Sequence, residues 1–216
     1  MQRLREGQQV TLTPANADGY AGQRAAPVGC VLAMIEGPEA ILVAGGHREP
    51  FPTDHCMLSF HHACQLVALK GRLKPGCPAD EPHFRVSDGV QLPRREASRL
   101  EIDLPLRVVD ERAGEPLQVR LRDLSSGGLR FELAGTLGLN ERVTVSLTLP
   151  DGAAAIEVSA LVVRHADDGV AVRFVSIRDA DRTRIVDLVR ARKLAIARGT
   201  SIGADPTDAR ALLAHA

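Results

Sequence analysis

The chain has 216 residues, and its 27 Lys and Arg balance 27 Asp and Glu, so the formal net charge is zero. That balance excludes nucleic-acid binding by general charge neutralisation; any anion must be held locally. Hydrophobic residues reach 44%, but Trp is absent and there are only one Tyr and five Phe, so the core must be mostly Val, Leu, Ile and Ala.

The length suits one large domain or two small ones. The opening stretch "MQRLREGQQV" is charged and lacks the apolar run of a secretory signal. No stretch approaches the roughly 20 apolar residues that cross a bilayer. These features predict a cytoplasmic protein without membrane insertion, whose Cys30, Cys56, Cys64 and Cys77 are free thiols.

Residues 1–91 give short apolar runs broken by turn chemistry. In chain order these are "VTLTP", "GCVLAMI", "AILVAGG", "CMLSF" and "CQLVALKGRL". Helical patterning of any length is missing, which predicts short strands closing into a small barrel. The Pro- and Gly-containing "KPGCPADEP" (74–82) reads as a loop before the last strand, and the domain boundary is placed near 90–92. His55, Cys56, His61, His62 and Cys64 crowd into one stretch but form no C-x-x-C or H-x-x-x-H pair, so they read as structural and no metal site is expected. His47, His83 and His165 sit in or near turns without partner patterns and read as surface histidines.

From Leu104 the alternation is cleaner, through "LRVVD", "LQVRLRDL", "LRFEL", "RVTVSLTLP", "IEVSALVVR" and "VAVRFV". In the fourth, Val143, Val145, Leu147 and Leu149 share one face and Arg142, Thr144, Ser146 and Thr148 the other, the mark of a half-buried antiparallel strand. A helix follows at about 179–198, with Asp179 and Asp181 at its start, Arg192, Lys193 and Arg198 near its end, and Gly199 after it. Its apolar stripe is Ile185, Leu188, Val189 and Ile196, and residues 199–216 read as a flexible tail. The fold class is therefore mainly β: two small antiparallel β-barrels, an N-terminal split-barrel-like domain over 1–91 and a second domain over 92–198, plus the C-terminal helix.

Two stretches carry chemistry. "LPRREASRL" (92–100) gathers Arg94, Arg95 and Arg99, and guanidinium groups suit bidentate contacts to phosphate or a base edge. "DLSSGG" (123–128) spaces Asp123, Ser125 and Gly128 as D-x-S-x-x-G at a strand end. A carboxylate there accepts from purine N–H groups, a hydroxyl reaches phosphate, and glycine lets a ligand approach the backbone. Taken singly, the first reads as a solvated linker and the second as an ordinary hairpin turn. No nucleophile–base arrangement stands out, and Asp110, Glu111 and Glu115 read as turn residues, so no enzyme and no catalytic residue is expected.

Together, in this order and on this strand pattern, the stretches resemble the PilZ family of cyclic di-GMP receptors. Its signature is R-x-x-x-R before the first barrel strand, then D/N-x-S-x-x-G; here these are Arg95 to Arg99 and Asp123 to Gly128. "GVAVRFV" looks like the family's closing strand, with Ala171 where glycine is common. Residues 1–91 resemble the N-terminal barrel of the two-domain flagellar-brake branch. The resemblance implies a cyclic di-GMP effector that binds through Arg94, Arg95, Arg99, Asp123, Ser125 and Gly128, without cofactor or DNA. In that family a basic residue at the place of Arg94 tends to accompany a stacked ligand dimer, so the resemblance implies two ligands per chain. Ligand is expected to order the arginine segment and change the arrangement of the domains, with a rotor or stator protein of the flagellar motor as partner, at the flagellar basal body. The alternatives are a ligand-independent interaction module on the same fold and a cyclic di-GMP-dependent regulator of exopolysaccharide synthesis. An oligonucleotide-binding barrel is disfavoured, because aromatic stacking platforms are scarce.

Overall fold

The computed structural model describes residues 4–15, 26–62, 65–87, 98–112, 114–133, 137–166 and 169–199. Arg94, Arg95, Cys64, the boundary placed near 90–92 and the tail beyond Gly199 lie outside the described residues.

The chain forms two units. The first holds β1 (Gln9–Pro14), β2 (Val28–Glu36), β3 (Glu39–Val43), β4 (His55–His62), β5 (Gln65–Leu73) and β6 (His83–Val86), closed as a barrel in the order β1-β2-β3-β6-β5-β4. The second holds β7 (Leu100–Asp110), β8 (Pro116–Ser125), β9 (Gly128–Phe131), β10 (Arg142–Leu147), β11 (Ile156–Ala166) and β12 (Gly169–Ser176). It closes as β10-β11-β12-β9-β8-β7. Both barrels thus share one plan: two three-stranded meanders, joined where the first strand of one pairs with the first of the other, and the third with the third. Closure leaves neither sheet a free edge.

In the first barrel alternate residues of each strand fill the interior. Leu12, Leu32, Leu42, Leu58 and Phe84 are fully buried. Cys56 joins them while His61, on the opposite face of β4, is exposed, so alternation separates the Cys/His stretch and no metal-binding group arises among the described residues. Burial pushes the Cys30 and Cys56 thiols up to about 12, as expected of inert core cysteines. Gly71 on β5 is required by contact: a Cβ there would stand 2.3 Å from the Arg85 carbonyl oxygen and 2.5 Å from the Phe84 ring. The expectation of a surface histidine fails at His83. It lies buried on β6, with Nδ1 3.6 Å from Glu39 and Nε2 3.5 Å from Glu81, carboxylates that cover the outer face of the strand.

The second core is aliphatic, as composition required, with Phe131 at its centre among Leu106, Leu121, Val143, Val145 and Ile156. Val143, Val145, Leu147 and Leu149 are all buried, following the alternation read from the sequence.

The helix α1 (Asp179–Ala197) begins with the expected acids and ends as Gly199 turns into the left-handed region at φ 72°, its N–H bonded to the Ile196 carbonyl. Ile185, Leu188 and Val189 enter the second core. Ile196 does not continue that stripe: it is 64% exposed. The last turn instead belongs to the first unit, where Leu194 and Ala197 pack on Ala33, Met34, Ile41 and Val43. At 3.6 residues per turn, Leu194 lies about 140° round the axis from Val189, so one periodic stripe cannot describe both contacts. Leu194 also explains why β3 is buried on both faces and reads as an unbroken apolar run.

The start of α1 is tied to the β10–β11 turn by Arg184. Its Nε and Nη2 donate to Asp151 at 2.8 and 3.0 Å, and its Nη1 donates to Asp181 at 3.1 Å. The Arg184 hydrogen bonds hold the Asp151 carboxyl below its ordinary value, as Arg178, then Arg184, do for Asp181. Depressed carboxylates contribute stability that is fully present above their unfolded value and lost as pH falls through the folded one. Arg184→Met should therefore destabilise the protein by about 1.5–3 kcal/mol at neutral pH. Denaturant titrations should show that gap constant from neutral pH down to the ordinary carboxylate value of 3.8, then shrinking below it.

Candidate ligand-binding site

The hairpin β8–β9 carries the second motif. Its turn is Ser126–Gly127, and the ladder pairs Ser125 with Gly128, Leu124 with Leu129 and Asp123 with Arg130. Between Leu121 and Asp123 the register slips by one, leaving Arg122 as an extra residue on β8. This bulge has a chemical consequence. Strict alternation would send Asp123 to the same side as Leu121, into an apolar core; with Arg122 inserted, Leu121 and Leu124 both enter the core and Asp123 stays outside it.

Asp123 is nonetheless only 8% exposed, and two cations attend it. Arg130 Nε donates to Oδ2 at 2.8 Å. Arg99 Nη1 lies 3.7 Å from Oδ1, an ion pair without a hydrogen bond. Arg99 immediately precedes Leu100, which pairs with Leu124, so β7–β8 pairing brings the last arginine of the first motif to the first residue of the second. Sequence analysis placed both residues in one site, and the geometry brings them together.

Ser125 and Gly128 show roles that spacing alone did not reveal. The buried Ser125 hydroxyl donates to the Gly128 carbonyl at 3.0 Å, closing the turn, so its remaining capacity is as an acceptor. Gly128 is held by its own barrel: a Cβ there would stand 2.2 Å from the Val172 carbonyl oxygen on β12. The close approach at this glycine is therefore strand to strand, whatever room it also leaves a ligand. Gly127 has open space around it, its carbonyl accepts from Phe174 N–H at 3.0 Å, and Arg182 from α1 donates to the Ser126 carbonyl at 2.9 Å.

Arg130 was missed by the motif reading. Its signal was present, since counting back across a two-residue turn sets 130 opposite 123. Two concavities lie in the first unit, one beside Phe51, Lys74 and Cys77 and another beside Gly45, Gly46, Asp80 and Arg198.

Residues 93–191 match the PilZ domain family model, a span that covers both motifs, the whole second barrel and most of α1. The chain carries a PilZ domain. No curated protein sequence matches the chain. Among solved structures, the chain is similar to the Bacillus subtilis inhibitor of motility MotI/DgrA, at 16% identity and TM-score 0.44 over 88% of this chain and 98% of that one. It is also similar to Escherichia coli YcgR in complex with c-di-GMP, at 16% identity and TM-score 0.34 over 83% and 81%. The K. pneumonia MrkH–c-di-GMP complex matches at 14% identity and TM-score 0.40 over 89% and 90%. No helix among the described residues is long and apolar enough to cross a membrane.

The two glycines of the turn should behave oppositely on substitution. Gly128→Ala should cost the PilZ barrel about 1–3 kcal/mol, because the methyl must displace backbone. Gly127→Ala should change stability by less than about 0.5 kcal/mol. Thermal unfolding without ligand reads both; equal effects would mean that the β9–β12 approach is not what Gly128 serves.

Proposed function

We propose that this PilZ protein is a cyclic di-GMP-binding effector. The observation that carries the reading is the meeting of Arg99 and Asp123. A guanidinium and an almost buried carboxylate, contributed by separate motifs, stand where one ligand can engage both. Cyclic di-GMP offers phosphates for Arg94, Arg95 and Arg99 and guanine N–H donors for Asp123. In the free protein Arg99 and Asp123 hold each other loosely, and ligand exchanges that pair for two charge-assisted contacts. Ser125 contributes lone pairs to the same edge, and Gly128 keeps the hairpin against β12. Arg94 supports a second, stacked ligand, giving two per chain.

The output follows the flagellar-brake resemblance. Ligand orders the arginine segment, changes the arrangement of the domains and controls engagement of a rotor or stator protein of the flagellar motor, in the cytoplasm at the basal body. The protein is a receptor without catalysis, cofactor or metal.

Calorimetry tests the binding step. Wild type should bind two cyclic di-GMP per chain, and Arg95→Ala or Arg99→Ala should weaken binding about ten- to a hundredfold, equivalent to about 1.5–3 kcal/mol. Single-stranded and duplex DNA should give no comparable heat. One ligand per chain removes the stacked dimer; no binding, or binding indifferent to both arginines, removes the receptor. For the output, saturating ligand should alter the solution scattering profile and change retention of motor protein in a pull-down. Superimposable profiles with ligand-indifferent retention would end the effector reading.

A further inference from the structure

Arg130 lies outside both motifs, yet it makes the only hydrogen bond to the Asp123 side chain that the described residues show. The two arginines on this carboxylate are not equivalent. Arg99 stands 3.7 Å away with its side chain 48% exposed, whereas Arg130 donates at 2.8 Å with its side chain 23% exposed. Arg99 is the exchangeable partner and Arg130 the fixed one. Arg130 also sits directly across the β8–β9 ladder from Asp123, so the pair shares a face and both ends are anchored to backbone. On the other side Asp123 is paired with Glu101, a like charge that gives it no hold.

We infer that Arg130 is the positioning residue that gives the site its preference for guanine. This rests on the cyclic di-GMP reading above. Each carboxylate oxygen has two lone pairs, and Arg130 Nε takes one on Oδ2. With that oxygen fixed, the remaining edge is a pair of acceptors at set spacing. Guanine presents two adjacent donors there, N1–H and N2–H. Hypoxanthine keeps N1–H and lacks the second, and adenine puts an acceptor at N1. A carboxylate free to rotate satisfies one donor nearly as well as two. A held carboxylate loses a contact when N2–H is missing. Arg130 thus acts through Asp123 and needs no contact with the ligand.

Titration of cyclic di-GMP and its inosine analogue into full-length wild type, Arg130→Met, Arg130→Lys, Asp123→Asn and the Arg130→Met/Asp123→Asn double variant tests this. Wild type should prefer the guanine ligand by at least tenfold. Arg130→Met should lose about tenfold in affinity for cyclic di-GMP and bring the preference close to one, with Arg130→Lys between it and wild type. In the Asp123→Asn background, adding Arg130→Met should change neither quantity more than twofold, since the group Arg130 positions is gone. If Arg130→Met weakens both ligands equally, or weakens binding as much in the Asn background, Arg130 acts as a direct ligand contact and the inference fails. Should Arg130→Met not fold, a preference unchanged in Arg130→Lys overturns it. Failure of wild type to bind cyclic di-GMP is a separate result: it removes the receptor reading, and this inference with it.

Discussion

The PilZ barrel depends on how closely β9 and β12 can approach. That ladder runs from Gly128 opposite Arg173 to Phe131 opposite Val170, and a glycine stands at each end. A Cβ on Gly128 would meet the Val172 carbonyl oxygen at 2.2 Å, and one on Gly169 would meet the Phe131 carbonyl oxygen at 2.1 Å. Gly169 also has a φ of 145°, which L side chains rarely adopt. This ladder is one of the two that join the meanders, and β9 is also the strand that pairs Arg130 with Asp123 on β8. A residue that looks like part of a ligand motif therefore acts first on barrel closure.

Much of the fold was legible in the sequence, because strand alternation is written directly into residues such as Val143, Val145 and Leu147. The shared plan of the two barrels was not. It lives in which strands pair, and nothing in the residues of β1–β6 echoes β7–β12. The end of α1 was misread for a related reason: a single apolar stripe was sought where the helix buries two faces, leaving Ile196 outside both. His83 looked like a surface residue because the carboxylates that cover it come from Glu39 and Glu81, far apart in sequence for the first of them.

At the site, the two motifs were joined in the sequence by resemblance, and the structure sets Arg99 of one 3.7 Å from Asp123 of the other. That Ser125 donates inward could not be seen, since a hydroxyl's choice of acceptor depends on the turn it closes. Arg130 escaped because signature reading stops at Gly128, although hairpin register points to it. Several other arginines are matched by acids on the same barrel. Arg120 with Asp103, Arg122 with Glu132 and Arg112 with Glu141 are exposed pairs worth little in stability. They do cancel one another's far field.

The Ser125 hydroxyl, turned toward Gly128, has a wider meaning. With its proton committed to the turn, the Ser125 hydroxyl can only accept, and the Asp123 side chain two positions earlier on the strand also offers oxygen lone pairs. A molecule that docks against these two groups must bring hydrogen-bond donors to them, a demand that bare phosphate and sulfate oxygens do not meet.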